Sequence, residues 1–190
     1  MASQQNGYAI VPHNTYNEFR TYALTHGVNV DYSFGNQCWD ICALLWYQYD
    51  LRLATGPQGY AYECWDVSRN VNARGPFIQI TSIRDVKRGD CVVFNRQGSF
   101  VTGHIAFADE DYNGSGRLNC LGQNQGQGIS WGIPSNVVSM GVGNFLGAFR
   151  NTNWKSSPPT PPPTPSSSSN RGKFPWVLYA RKLNNSRNML

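Results

Sequence analysis

Gly75-Pro-Phe-Ile-Gln-Ile-Thr-Ser-Ile-Arg-Asp-Val-Lys-Arg-Gly-Asp-Cys-Val-Val-Phe94 is where the chain changes its grammar. Phe77–Ile80 and Cys91–Phe94 are short, apolar and rich in β-branched side chains, and a polar turn, Lys87-Arg-Gly-Asp90, feeds the second of them. Both read as strands, because such side chains pack well on a pleated surface. Downstream, Gly103-His-Ile-Ala-Phe-Ala108 is a third strand, and Asp109–Gly116, which contains Asn113-Gly114, is a hairpin turn. Leu118–Gln123 returns as the next strand, and Phe145–Arg150 closes the sheet.

Upstream the periodicity is helical. Tyr16, Phe19, Tyr22 and Ala23 recur at helical spacing within Thr15–Thr25, which predicts a short amphipathic helix. Trp39–Tyr49 is apolar almost all round and predicts a central buried helix. Gly56, Pro57 and Gly59 mark a loop, and Glu63–Val71 predicts a further helix. Helices first and an antiparallel sheet second is an α+β pattern, with no internal repeat.

The chain has 190 residues, 40% of them hydrophobic, enough for one domain with a real core plus an appendage. No apolar run approaches the roughly 18 residues a membrane span needs. Met1–Gly7 has neither a basic start nor an apolar stretch, so no secretory signal is expected. Cys38, Cys42, Cys64, Cys91 and Cys120 are odd in number, irregular in spacing and contain no C-x-x-C pair, which predicts reduced thiols rather than a disulfide framework or zinc knuckle.

The net charge of +5 is unevenly distributed. Residues 1–149 hold 9 Lys/Arg against 11 Asp/Glu, whereas residues 150–190 hold 7 Lys/Arg and no acid. A near-neutral body argues against a folded nucleic-acid-binding domain. Within the basic segment, Ser156–Ser169 is a Pro/Ser/Thr run that reads as extended polyproline II, reaching roughly 40 Å. The division expected is therefore a domain over 1–154, a linker over 155–172 and a basic, aromatic docking peptide over 173–190, too short to fold alone.

The chemistry centres on Phe34-Gly-Asn-Gln-Cys38-Trp-Asp-Ile-Cys42. Gly35 and Asn36 break structure and the helix begins near Cys38, so its thiol sits among unpaired N–H groups and the positive end of a helix dipole. Both favour thiolate, and the same N–H groups can stabilise an oxyanion. A cysteine standing alone is more often a small buried apolar residue. Here His104 opens a strand, where its ring can face a helix N-terminus packed across the sheet, and Leu121-Gly-Gln-Asn124 brings an amide one hairpin later. Thiol, imidazole and orienting amide from three elements form the constellation of a cysteine hydrolase.

Gly-Asn-Gln-Cys38-Trp-Asp, Arg-Gly-Asp-Cys91-Val-Val-Phe, Gly-His104-Ile-Ala-Phe, Gly-Gln-Asn124-Gln-Gly and Phe-Leu-Gly-Ala-Phe-Arg150, in that order over roughly residues 14–150, resemble the CHAP family of cysteine, histidine-dependent amidohydrolases/peptidases. The resemblance implies a papain-like α+β fold and cleavage of bacterial peptidoglycan, either at the muramoyl–L-alanine amide or within the peptides. It implies Cys38 as nucleophile, His104 as base and Asn124 as the amide that orients the ring. Many members carry Glu two residues before that Asn, where this chain has Gly122. Either Asn124 alone holds the imidazole or catalysis is weakened.

Many members are phage lysins, which implies a protein made in the host cytoplasm and acting on the host wall. The basic aromatic tail then reads as an anchor into a phage tail or core protein, with the enzyme carried on the virion. A free endolysin and a mainly structural virion protein with a weakened domain are the alternatives. Gln37, Trp39 and Trp131 are the substrate-contact candidates. Asn29-Val-Asp31-Tyr-Ser33-Phe-Gly35, leading to Asp40, resembles a calcium loop of several phage members. Alternate oxygen-bearing positions and a carboxylate on the first helical turn suit a hard cation; the other reading is a turn with Asp40 as a helix N-terminal acid. Cys42, Cys64, Cys91 and Cys120 read as core, Arg88-Gly-Asp90 as a structural turn, His13 and His26 as surface, and Asp109–Asp111 as a solvated tip.

Overall fold

The computed structural model describes residues 3–5, 8–10, 12–66, 69–98 and 100–156. All of these belong to one compact unit, Met1–Ser157. The expected linker, apart from its first residues, and the basic peptide lie outside the described residues.

Two three-residue strands, β1 (Ser3–Gln5) and β2 (Tyr8–Ile10), pair antiparallel ahead of the helices. Helix α1 (Tyr16–Ala23) starts on a capping box: Glu18 N–H donates to the Thr15 hydroxyl, and the Glu18 carboxylate accepts from Thr15 N–H. Tyr16, Phe19 and Ala23 face the core, as the spacing requires. Helix α2 (Cys38–Tyr47) is buried along nearly its whole length. Within the predicted helix over 63–71 the structure has α3 (Glu63–Asp66) and α4 (Arg69–Asn72), and residues 67 and 68 between them lie outside the described residues.

The main sheet has six antiparallel strands: β3 (Phe77–Ile80), β4 (Cys91–Phe94), β5 (His104–Ala108), β6 (Arg117–Gly122), β7 (Asn136–Gly141) and β8 (Phe145–Asn151). Their spatial order is β3-β8-β4-β5-β6-β7. The architecture is α+β, as expected. The sequence reading has no counterpart for β1, β2 and β7. β7 is an edge strand with Asn136 and Ser139 along it and mostly half-buried or exposed positions, so its apolar signal is weak.

Because side chains alternate across a strand, the sheet divides the core in two. Ile105, Phe107, Val93, Leu121 and Phe149 pack towards α2, with Trp46 stacked on Phe77 at 3.9 Å between ring centroids. Ala106, Ala108, Val92, Phe94, Cys120 and Met140 form the core of the opposite face. Arg88-Gly-Asp90 is indeed a structural turn: Asp90 is 1% exposed and accepts two hydrogen bonds from the Arg150 guanidinium at 2.8 and 2.7 Å. Asp109, expected at a solvated tip, is instead clamped by Arg20 at 2.7 and 2.8 Å and by the Tyr16 hydroxyl at 3.0 Å. All five cysteines are buried and free. Among the described residues, no helix is long and apolar enough to cross a membrane.

Candidate active site

Cys38 is the first residue of α2, preceded by Gln37 in extended backbone. Three structural ties hold this junction. Asp40, one turn in, accepts N–H groups from Val30 at 2.9 Å and from Gln37 at 2.7 Å. Gln123, fully buried just beyond β6, accepts from Val28 N–H at 2.8 Å and donates to the carbonyls of Val28 and Gln37 at 2.8 and 3.0 Å. Asn36 N–H donates to the Ile129 carbonyl at 2.8 Å. The loop that presents Cys38 is thus stitched to both the helix and the sheet.

The main-chain N–H groups of Ile105, Trp39 and Cys38 itself act to lower the Cys38 thiol pKa. They favour thiolate, as a helix N-terminus predicts. Burial outweighs them, and with the nearby Asp40 charge it pushes the thiol pKa up to about 11. The resting group is therefore a neutral thiol, not the activated thiolate that sequence reasoning expects. Cys38 lines an open groove of about 820 Å³ together with Gln37, Trp39, Arg52, Tyr60 and Ile129. Trp39 is held by an indole N–H bond to the Leu53 carbonyl at 3.2 Å. Trp131, expected on the groove floor, is not among the lining residues; it is 62% exposed and stacks on Tyr32 at 5.8 Å.

His104 opens β5 directly opposite Phe94 of β4. Gly103 before it has φ +69°, and a Cβ there would lie 2.6 Å from the Phe94 carbonyl oxygen and 2.7 Å from Tyr62 Cβ, so the strand entry requires glycine. Strand alternation sends Ile105 to the α2 side and His104 to the Phe94 side. The ring is 2% exposed and lies 5.1 Å from Phe100, lining a second cavity of about 370 Å³ with Phe94, Gln125 and Arg117. Among the described residues no hydrogen bond joins His104 to Cys38. Burial also lowers the imidazole pKa to about 4, with the Gln125 bond opposing the shift, so the ring is neutral.

The amide on His104 is not Asn124. His104 Nε2 pairs with Gln125 Oε1 at 3.0 Å. Asn124 has φ +53°, its side chain is exposed, and its amide donates to Gln37 Oε1 at 3.1 Å. The chain turns as β6 ends, so neighbouring amides leave in different directions. Gln37, next to Cys38 at the head of α2, is thus joined to Asn124, and His104 is joined to Gln125. Sequence reasoning missed Gln123 and Gln125; the only signal is the unusual density of amides in Gly122-Gln-Asn-Gln-Gly-Gln127 just after a strand.

Asn29, Asp31, Ser33, Gly35 and Asp40 fall in one loop and helix turn, where main-chain N–H groups meet the Asp31 and Asp40 carboxylates. Both Asp40 oxygens face main-chain N–H groups, and Asp31 Oδ1 accepts from Ser33 N–H at 2.8 Å in a closed turn. Asp40 is 1% exposed and burial raises its carboxyl pKa to about 7. Among the described residues, no group of three or more His, Cys, Asp or Glu side chains is placed to hold a metal ion. Asp40 is also the acid in the first turn of α2.

No family model matches the chain. No curated protein matches it either. Solved structures do resemble it. The crystal structure of a wild type endolysin, LysIME-EF1, superposes with a TM-score of 0.55 over 74% of this chain and 65% of that one, at 22% identity. The crystal structure of Ly7917, alone and with the hydrolyzing product of MDP, gives a TM-score of 0.47 over 73% of this chain and 63% of that one, at 18% identity. The chain thus spans just under two thirds of each, and the likeness to LysIME-EF1 is one of fold.

Proposed function

We propose that this protein is a peptidoglycan hydrolase that cleaves an amide bond of the bacterial cell wall, with Cys38 as nucleophile and His104 as base. The observation that carries the reading is Cys38 as the first residue of α2, in the wall of a large open groove and with main-chain N–H groups that favour its thiolate. Those groups are the donors an oxyanion needs. The shared fold with an endolysin points to the wall as substrate.

With a thiol near 11 and an imidazole near 4, both groups are neutral at pH 7. The reaction then runs by general-base transfer rather than from a preformed ion pair. As sulfur attacks the carbonyl carbon, the thiol proton passes to the imidazole and the carbonyl oxygen becomes the oxyanion. Collapse expels the amine, which takes the proton from imidazolium. Water, deprotonated by the same ring, then releases the acyl group and restores the thiol. The transfer requires ring and sulfur to come within hydrogen-bond distance when substrate fills the groove, because such contacts are commonly loose without substrate.

Residues 156–190 support a virion-borne placement, since their excess of basic over acidic residues and the aromatic run after the linker suit an anchor to a phage tail or core protein. Purified walls incubated with the protein and with Cys38→Ala test the enzymatic reading: the wild type clears them and the variant does not. Equal clearance by both would remove Cys38 from the mechanism. Mass spectrometry of the released muropeptides assigns the bond, a free amine on L-alanine marking an amidase and a new terminus inside the peptide an endopeptidase.

A further inference from the structure

Gln125 is buried, and each end of its amide has an assigned partner. Its nitrogen lies 3.0 Å from the Cys120 carbonyl oxygen and 2.8 Å from that of Asn136. Both are acceptors only, so the nitrogen must face them and the oxygen must face His104, at 3.0 Å from Nε2. An amide oxygen cannot donate, so Nε2 of the neutral ring carries the proton and Nδ1 carries the lone pair. The amide orientation, fixed by two main-chain carbonyls, fixes the tautomer of the histidine.

Gly122 makes room for this arrangement. A Cβ at that position would lie 2.8 Å from Gln125 Oε1 and 3.1 Å from Ala106 Cβ, on the sheet face that carries His104. Any side chain at 122 would compete with the Gln125 amide for the space beside the ring. Asn124, between them, is tied to Gln37 and has no part in this contact.

We infer that Gln125 is the positioning residue of His104, holding it as the Nε2–H tautomer with Nδ1 as the proton-accepting atom, in space that the absent side chain of Gly122 leaves open. The inference rests on the hydrolase reading for its catalytic meaning, while the tautomer follows from the hydrogen-bond geometry around a neutral ring.

Long-range ¹H–¹⁵N spectra of the full chain at neutral pH test it first. His104 is expected to show a protonated Nε2 and a bare Nδ1; the reverse tautomer overturns the inference without any variant. Gln125→Ala should lose this single-tautomer signature and lower kcat by about 100-fold, with KM changed far less, as expected for a misplaced base. Asn124→Ala should leave the ring signature unchanged. Because Gln125→Ala also strands two carbonyls, the double variant Gly122→Glu/Gln125→Ala is the companion: its carboxylate enters the vacated space, restores the Nε2–H signature and recovers part of kcat. Gly122→Glu alone, clashing with the amide, should be worse than the double variant, a non-additivity that a mere loss of packing would not produce. An unchanged ring signature in Gln125→Ala, or a changed one in Asn124→Ala, overturns the assignment. A wild type that keeps the tautomer but leaves walls intact removes the hydrolase reading and not the positioning. Walls cleaved normally by Gln125→Ala do the opposite.

Discussion

At the scale of single residues, burial decides more than sequence neighbourhood. Cys38 occupies the helix N-terminus that ought to lower its pKa, yet desolvation outweighs three N–H groups. His104 carries the sharper thermodynamic consequence. Its pKa falls to about 4 in the folded protein against an ordinary 6.5, so below 6.5 the unfolded chain takes up a proton that the native state refuses. Stability from this residue is fully present above pH 6.5 and is lost as pH falls towards 4, amounting to about 3 kcal/mol. Urea unfolding of the wild type and His104→Gln at pH 7 and pH 4 should show the variant losing less stability on acidification by about that amount. Equal losses would mean that the ring is not desolvated.

At the scale of elements, the junction of loop and α2 concentrates the site. Asp40 accepts the Val30 and Gln37 N–H groups and so joins the presenting loop to the helix. Removing it leaves buried donors unsatisfied, and Asp40→Ala should destabilise the protein by about 2–4 kcal/mol in denaturant titrations. A loss below about 0.5 kcal/mol would mean that the loop holds itself. The same engagement of Asp40 predicts the response to calcium: melting curves with millimolar calcium and with chelator should coincide, whereas a rise of several degrees with calcium would show that the loop reorganises into a cage. β5 and β6 set the other half of the site, since β5 opens on His104 and the end of β6 separates Asn124 from Gln125.

At the scale of the molecule, the described core is closed within residues 12–156, from the α1 capping box to the Asp90–Arg150 ion pair across β4 and β8. A chain ending at Ser157 should therefore melt cooperatively within a degree or two of the full chain and clear purified walls at a comparable rate; loss of either would give residues 158–190 a structural or catalytic part. The class of fold was legible in the sequence because α1, α2, β3, β4, β5, β6 and β8 each carry their own periodicity, a local property of apolar spacing. So was the setting of Cys38, since Gly35 and Asn36 before an apolar run mark a helix start without reference to anything distant. The edge strand β7 was not legible, because half-exposed strands lack that spacing. Nor was the partner of His104. Whether Asn124 or Gln125 meets the ring depends on how the chain turns after β6 and on the space above Gly122, and both are set by strands brought together from distant parts of the chain. Local patterning determined which elements form and where the thiol sits. Tertiary structure alone decided which side chains face each other, because strand alternation and burial act only once the sheet is assembled.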